Sequence, residues 1–300
     1  MKQSKKARSD RHHSKRCRFK AIEELSHRYS VIAMCYFYGV SKSGYYAWRQ
    51  RQPSTRELEN NALLKEIKRY HRQSKETYGS PRITAKLKAI GYNVGRHRVA
   101  RIMRENDIQA KMYKRFVANP GSHAFYDRFP NRLLHQPLPN QPNQVWVADF
   151  THIRIHTYPV YLAVVMDLST RQIIGWTITK RRTAKMTCDA LAMAIKQRRP
   201  KAGTIFHSDR GIEYAAYRLS AILSEHGMVQ SMSRKGNCYD NAYMESFFGS
   251  LKSEMVYCEK LTDYVQTRCK LINYIKYYNQ ERLHSSLNFQ SPNNYERLCA

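Results

Sequence analysis

The stretch Val145-Trp146-Val147-Ala148-Asp149-Phe150-Thr151-His152-Ile153 is rich in β-branched and aromatic residues and reads as a strand. Period-2 alternation places Asp149 on the same face as Val145, Val147 and Ile153, and both faces are mostly apolar. Aspartate is depleted in strands, and a carboxylate buried alone is costly. Asp149 therefore needs a compensating partner: a metal ion is one, a buried arginine the other.

Downstream of this strand the β pattern continues. Val160 to Asp167 and Gln172 to Thr179 read as two more strands, with turn chemistry at Thr157-Tyr158-Pro159 and Leu168-Ser169-Thr170. Then come a helix near 185–199, a short strand from Thr204 to Ser208, a helix near 213–226, a short strand from Met228 to Met232, and a long helix from about Asp240 to Val256. Three strands in meander followed by strands alternating with helices predict an α/β domain, a mixed five-stranded sheet covered by helices. That is the layout of the ribonuclease H-like fold.

Upstream the pattern is helical. Residues 22–50 read as two helices broken at Gly39, the first rich in Ile32, Met34 and Phe37, the second opened by Ser41 as N-cap. This is the sequence form of a helix-turn-helix, and equally of a generic helical hairpin. Residues 56–73 form a further helix with Leu63, Leu64 and Ile67 on one stripe. A second hairpin follows, with Ile83, Leu87 and Ile90 inward on its first helix and Val99, Ile102 and Met103 inward on the second, Arg96 to Glu105. The outer face of that second helix carries Arg96, Arg98, Arg101 and Arg104, the row a recognition helix offers to DNA, though also that of an ordinary solvated helix. Prolines 120, 130, 137, 139 and 142 mark a linker before the β region.

Charge agrees with this division. The chain of 300 residues has a formal net charge of +29, and residues 1–140 hold 31 Lys/Arg against 10 Asp/Glu, leaving only +8 for residues 141–300. So basic a surface points to a polyanion, nucleic acid first, because solubility rarely requires such single-sign bias. No apolar run of about 20 residues predicts a membrane span. The first 20 residues are basic and lack the apolar stretch of a secretory signal, so a cytoplasmic location is expected. The seven cysteines, at 17, 35, 188, 238, 258, 269 and 299, are scattered and form no C-x-x-C, against a disulfide framework or a zinc site.

Two further acids join Asp149. Asp209 ends the strand 204–208 just before Gly211, at the carboxyl edge where α/β sheets place functional groups, although capping the next helix is an alternative role. Glu245 sits in the first two turns of the long helix, with Asn241, Phe248 and Lys252 on the same face; complementing the helix dipole is its plainer role. His207, Ser208 and Asp209 cannot form a hydrolase triad, since neighbours in a strand point to opposite faces. Three carboxylates at one sheet edge repel unless cations neutralise them, and oxygen-only ligation suits Mg²⁺ or Mn²⁺. Two such ions can promote in-line phosphoryl displacement by a water or a 3′-hydroxyl without a protein nucleophile.

The blocks Trp146-Val147-Ala148-Asp149-Phe150-Thr151, His207-Ser208-Asp209-Arg210-Gly211 and Asn241-Ala242-Tyr243-Met244-Glu245-Ser246-Phe247-Phe248 resemble the catalytic blocks of D-D-E transposases. Thirty-five residues separate Asp209 from Glu245, the spacing of that signature and of retroviral integrases. The likeness is greatest to the second-reading-frame (OrfB) product of two-frame bacterial insertion sequences. Thr77-Tyr78-Gly79-Ser80-Pro81-Arg82-Ile83 and Tyr278-Asn279-Gln280-Glu281-Arg282-Leu283-His284-Ser285-Ser286-Leu287, then Pro292, extend it over about residues 25–297. The integrase His-His-Cys-Cys zinc module is not matched.

The resemblance implies a magnesium-dependent transposase that binds element ends and target DNA, with Asp149, Asp209 and Glu245 as catalytic, metal-binding acids and Lys252 at the scissile phosphate. Arg82, Arg96, Arg98, Arg101 and Arg104 are the expected further DNA contacts. An oligomer on DNA is expected, with an upstream-frame (OrfA) partner or fusion, since no heptad zipper is evident in the chain. The expected organisation is a basic arm (1–24), a helix-turn-helix-like segment (25–55), a second helical DNA-binding region (56–118), a Pro-rich linker (119–143), an integrase-type catalytic core (144–258) and a C-terminal helical tail (259–300). Two rivals are a non-catalytic DNA-binding repressor of transposition and a ribonuclease H-type nuclease. The intact acid set disfavours the first, and the basic helical half, unnecessary for non-specific hybrid cleavage, disfavours the second.

Overall fold

The computed structural model describes residues 14–111, 129–134, 136–155, 158–234 and 241–299. Much of the basic arm, part of the Pro-rich linker, Thr157, Cys238 and Asp240 lie outside them. The chain divides into two compact units, Met1–Lys65 and Glu66–Ala300.

In the first unit, helices α1 (Lys15–Leu25), α2 (Val31–Tyr38) and α3 (Lys42–Gln50) close around Ile22, Met34, Tyr38 and Tyr45, with Phe19 and Trp48 packed against them. The predicted break at Gly39 is a helix C-cap in the left-handed region, φ 63°. Val40 N–H donates to the Cys35 carbonyl and Gly39 N–H to the Tyr36 carbonyl, the two bonds of a Schellman motif. Ser41 then caps α3, its hydroxyl accepting from Gly44 N–H at 3.1 Å. Met34 is buried, whereas Ile32 and Phe37 are exposed.

The unit boundary falls within α4 (Thr55–Gln73). In the second unit, α5 (Ser80–Ala89) and α6 (Arg96–Glu105) form the predicted hairpin, burying Ile83, Leu87, Val99, Ile102 and Met103. Ile90, expected inward, is instead 47% exposed. The helix stops at Ala89, so Ile90 leaves the helical stripe before the turn at Gly91, φ +91°.

The sheet comprises β1 (Val145–Arg154), β2 (Pro159–Asp167), β3 (Ile173–Thr179), β4 (Ile205–Ser208) and β5 (Val229–Met232), in the order β3-β2-β1-β4-β5. The first three are antiparallel; β4 and β5 run parallel to β1. This is the mixed five-stranded sheet that the meander followed by βα alternation predicts. Helices α7 (Ala184–Arg198) and α8 (Tyr217–Glu225) cover one face, against Trp146, Ala148 and Phe206. Helices α9 (Ala242–Leu251) and α10 (Tyr264–Gln280) cover the other, against Val145, Val147 and Ile153. The alternation read in the 145–153 stretch is thus the alternation between two cores.

Two features depart from the simple reading. The long helix expected to run to Val256 turns into one π-helical turn, Lys252–Val256, after Leu251. Helix α10, with α11 (Pro292–Cys299) after it, belongs to the same compact unit as the sheet, and Leu271, Tyr274, Ile275 and Tyr278 enter its core.

Candidate active site

Register alone brings the first two acids together. The β1–β4 ladder ends at the pair Ala148↔Ser208, so Asp149 and Asp209 are the next residue on each of two parallel neighbouring strands. Adjacent strands lie about 4.8 Å apart. The pairs Val145↔Ile205 and Val147↔His207 share the face covered by α9, and Asp149 continues that face.

The third acid arrives on α9. At the N-terminal end of this helix Asn241 is buried, and its Nδ2 donates to the Ala148 carbonyl at 3.5 Å, tying the helix start to the residue before Asp149. Glu245, one turn on, is exposed, while Met244, Phe247, Phe248 and Leu251 fix the rest of α9 in the core. Asn241 Oδ1 is buried and has no hydrogen-bond partner among the described residues. Asp209 does not cap α8, which begins only at Tyr217; its Oδ1 accepts from Gly211 N–H at 3.0 Å.

Electrostatics show the acids acting on one another. Asp149 is half-buried as a residue, loss of surrounding water is the largest influence on its carboxyl, and the Asp209 charge adds to that. Both push its pKa well above the usual carboxylate range, with a smaller push from Glu245. The Phe150 N–H, donating to Asp149 Oδ1 at 2.7 Å, and the charge of Lys252 oppose them. Lys252, half-buried at the start of the π-turn, has its ammonium pKa lowered by burial, with Asp149 pulling the other way. Tyr214, buried beneath the site, has its phenol pushed well up by desolvation and then by Asp149 and Asp209.

An all-oxygen set of acids whose charges push one another up is the donor chemistry of Mg²⁺ or Mn²⁺. Among the described residues, no three His, Cys, Asp or Glu side chains stand close enough to hold an ion. The three acids are electrostatic neighbours rather than a closed cage.

The remaining predicted positions separate into two groups. On α6, Arg96, Arg101 and Arg104 are exposed and Arg98 is half-buried, so the basic face exists as expected. Arg82 lies on α5, apart from that face. Its guanidinium lies over the Tyr78 ring, 5.3 Å from the centroid, and Nη1 is 3.5 Å from Glu254 Oε1, leaving the side chain 24% exposed. A buried carboxylate draws it inward because Glu254 would otherwise stand among aromatic rings with too little positive charge. His207 is buried, its Nδ1 2.9 Å from Ser231 Oγ on the neighbouring strand.

Sequence reasoning gave no role to Arg182 and Glu213. Glu213 is buried beside Asp209, bound by Arg182 through both carboxylate oxygens. No local pattern links two residues 31 apart; only the fold of the loop between β4 and α8 brings them together.

Family models match in the same segments: the integrase core domain over residues 139–238 and again over 226–292, and an HTH-like domain over residues 58–116. The insertion element IS600 31 kDa protein of Shigella sonnei is 42% identical over 260 residues, covering 86% of this chain and 96% of its own. The transposase InsF of insertion sequence IS3A from Escherichia coli is 38% identical over 280 residues, covering 92% and 96%. The HTLV-2 integrase catalytic core domain, solved with magnesium, is similar at 17% identity and a TM-score of 0.40, over 52% of this chain and 97% of that one. A mixed sheet with acids at its carboxyl edge, matched by the integrase core model and preceded by an HTH-like domain, defines an integrase-core protein that binds DNA. The chain belongs to the insertion-sequence transposase family that includes the InsF transposases of IS3 elements. No helix among the described residues is long and apolar enough to cross a membrane.

Proposed function

We propose that this transposase cuts and rejoins DNA strands at Asp149, Asp209 and Glu245, which together hold two Mg²⁺ or Mn²⁺ ions. The observation that carries this reading is the shared end of the β1–β4 ladder, which leaves Asp149 beside Asp209 with a carboxyl strained toward protonation. When bound, such ions supply activation of an attacking water or 3′-hydroxyl and stabilisation of the leaving oxygen. The chain's own groups do the positioning. Asn241 anchors the start of α9 so that Glu245 is delivered to the sheet edge, and Lys252 offers a cation to a phosphate near Asp149. The arginine face of α6 grips element-end DNA by charge. The protein works as an oligomer on DNA with an upstream-frame partner or fused portion, and resides in the cytoplasm.

The test is incubation of the purified chain, alone and with the upstream-frame partner, with element-end DNA and Mg²⁺, beside Asp149→Asn and Glu245→Gln. The parent should nick and join, and each variant should lose both. Equal products from parent and variants would sink the assignment.

A further inference from the structure

We infer that Arg182 is a phosphate-contacting residue of the acid site, oriented by Glu213 toward the DNA strand that the acids process. This rests on the proposed strand-processing role of Asp149 and Asp209. It begins with Gly211. A Cβ at that position would lie 3.0 Å from Asp209 Oδ1 and 3.3 Å from Glu213 Oε2, so two carboxylates converge tightly on one side of Gly211. Asp209 faces the acid site. Glu213 is only 5% exposed and is matched by Arg182, whose Nε donates to Oε1 and whose Nη2 donates to Oε2 at 3.0 Å. Thr187 Oγ1, donating to the Glu213 carbonyl at 3.2 Å, fixes the backbone that carries this acid.

The guanidinium is clamped on two further sides. It stacks over the ring of Phe150, 4.7 Å from the centroid, and Phe150 follows Asp149 directly in β1. It is also close enough to Asp209 to feel its charge. A bidentate grip through Nε and Nη2 occupies one edge of the fork and turns Nη1 outward, and the side chain is 35% exposed. A planar cation with its orientation fixed in advance, one face on an aromatic ring and one edge free beside a phosphoryl-transfer site, is suited to a phosphate oxygen. The partner is therefore a phosphodiester of the DNA backbone, read without base specificity.

The test separates this contact from the chemistry by measuring binding with the Asp149→Asn chain in the absence of divalent metal. The probe is an element-end DNA duplex long enough to cross the acid site. Arg182→Ala should weaken binding about ten- to a hundredfold, one lost charge-assisted contact, and reduce the slope of log affinity against log salt by about 0.9. Arg182→Lys should restore the slope and only part of the affinity, because charge returns without the fork. An unchanged slope and affinity in Arg182→Ala would overturn the inference and leave Arg182 as a structural partner of Glu213. If Arg182→Ala does not fold, the unaltered protein gives the same reading: an arginine-specific dicarbonyl should label Arg182 more slowly with DNA bound, and equal labelling would overturn it. Failure of the acids to catalyse would show separately, as equal nicking by parent and Asp149→Asn in Mg²⁺.

Discussion

Glu254 and Arg282 form a buried ion pair behind α9, with Arg282 Nη2 donating to Oε1 at 2.7 Å and Nε to Oε2 at 2.9 Å. Arg282 also donates from Nη2 to Ser250 Oγ, and Tyr274 hydroxyl and Arg82 complete the coordination of Glu254. His284, 3.2 Å from Arg282 Nη1, is held neutral, its pKa brought down to about 3 by burial and then by Arg282. The network joins α5, the π-turn after α9 and the segment after α10. Arg82 belongs to the Thr77–Ile83 block, and Arg282 and His284 to the Tyr278–Leu287 block.

Arg282→Met removes one partner of a pair that is almost wholly covered and strands the Glu254 charge. Stability should fall by about 3–5 kcal/mol. Arg82→Met should cost clearly less, since Arg82 is 24% exposed and Glu254 keeps its main partner. Urea denaturation of both variants checks the order; an equal loss would show that Arg82 is an equal member of the pair.

Asp149 carries a pH prediction of unusual sign. Its folded pKa lies above 3.8, so between the unfolded and folded values the native state binds more protons than the unfolded chain, and stability declines as pH rises through that window. At neutral pH without divalent metal, Asp149→Asn should therefore stabilise the protein. A rise in Tm is expected, alongside loss of strand cleavage. A lower melting temperature for the variant would mean that the carboxylate is already compensated within the chain.

Gly175 in β3 is a packing requirement. A Cβ there would lie 2.2 Å from the Ala190 carbonyl oxygen and 2.9 Å from Ala194 Cβ, so α7 rests directly on the strand backbone. Gly175→Ala must push the helix off the sheet, and overpacking of this kind costs about 1–3 kcal/mol. Replacing the exposed Gly249, whose added Cβ would meet nothing within 4 Å, by Ala should be tolerated. Thermal denaturation of the two variants distinguishes crowding from a general glycine effect.

On α6, Arg101 and Arg104 are exposed at neighbouring helix turns. Arg101→Ala and Arg104→Ala should each lower the salt-dependence slope of DNA binding by about one unit and leave stability almost unchanged. A slope equal to that of the parent would make this face ordinary solvated surface.

The sequence by itself determined which residues face which layer. Alternation in 145–153 marks two cores, Gly39 and Ser41 mark the end of one helix and the start of the next, and Val99, Ile102 and Met103 mark the inner stripe of α6. These are local signals, because strand and helix periods are fixed by backbone geometry. Only the tertiary structure decided what the charged residues do. Arg82 has the same local chemistry as Arg101, yet one is drawn into a carboxylate and the other left in water. The π-turn at Lys252 and the pairing of Arg182 with Glu213 were equally illegible, for they depend on groups far apart in the chain. The same distinction applies to the stretch that decides the fold. Its pattern requires a partner for Asp149, whereas the parallel register with β4 brings a second acid, Asp209, to the same sheet edge. A carboxylate's burial can be read from its own strand, but its companions are chosen by strand order, which is a property of the whole sheet.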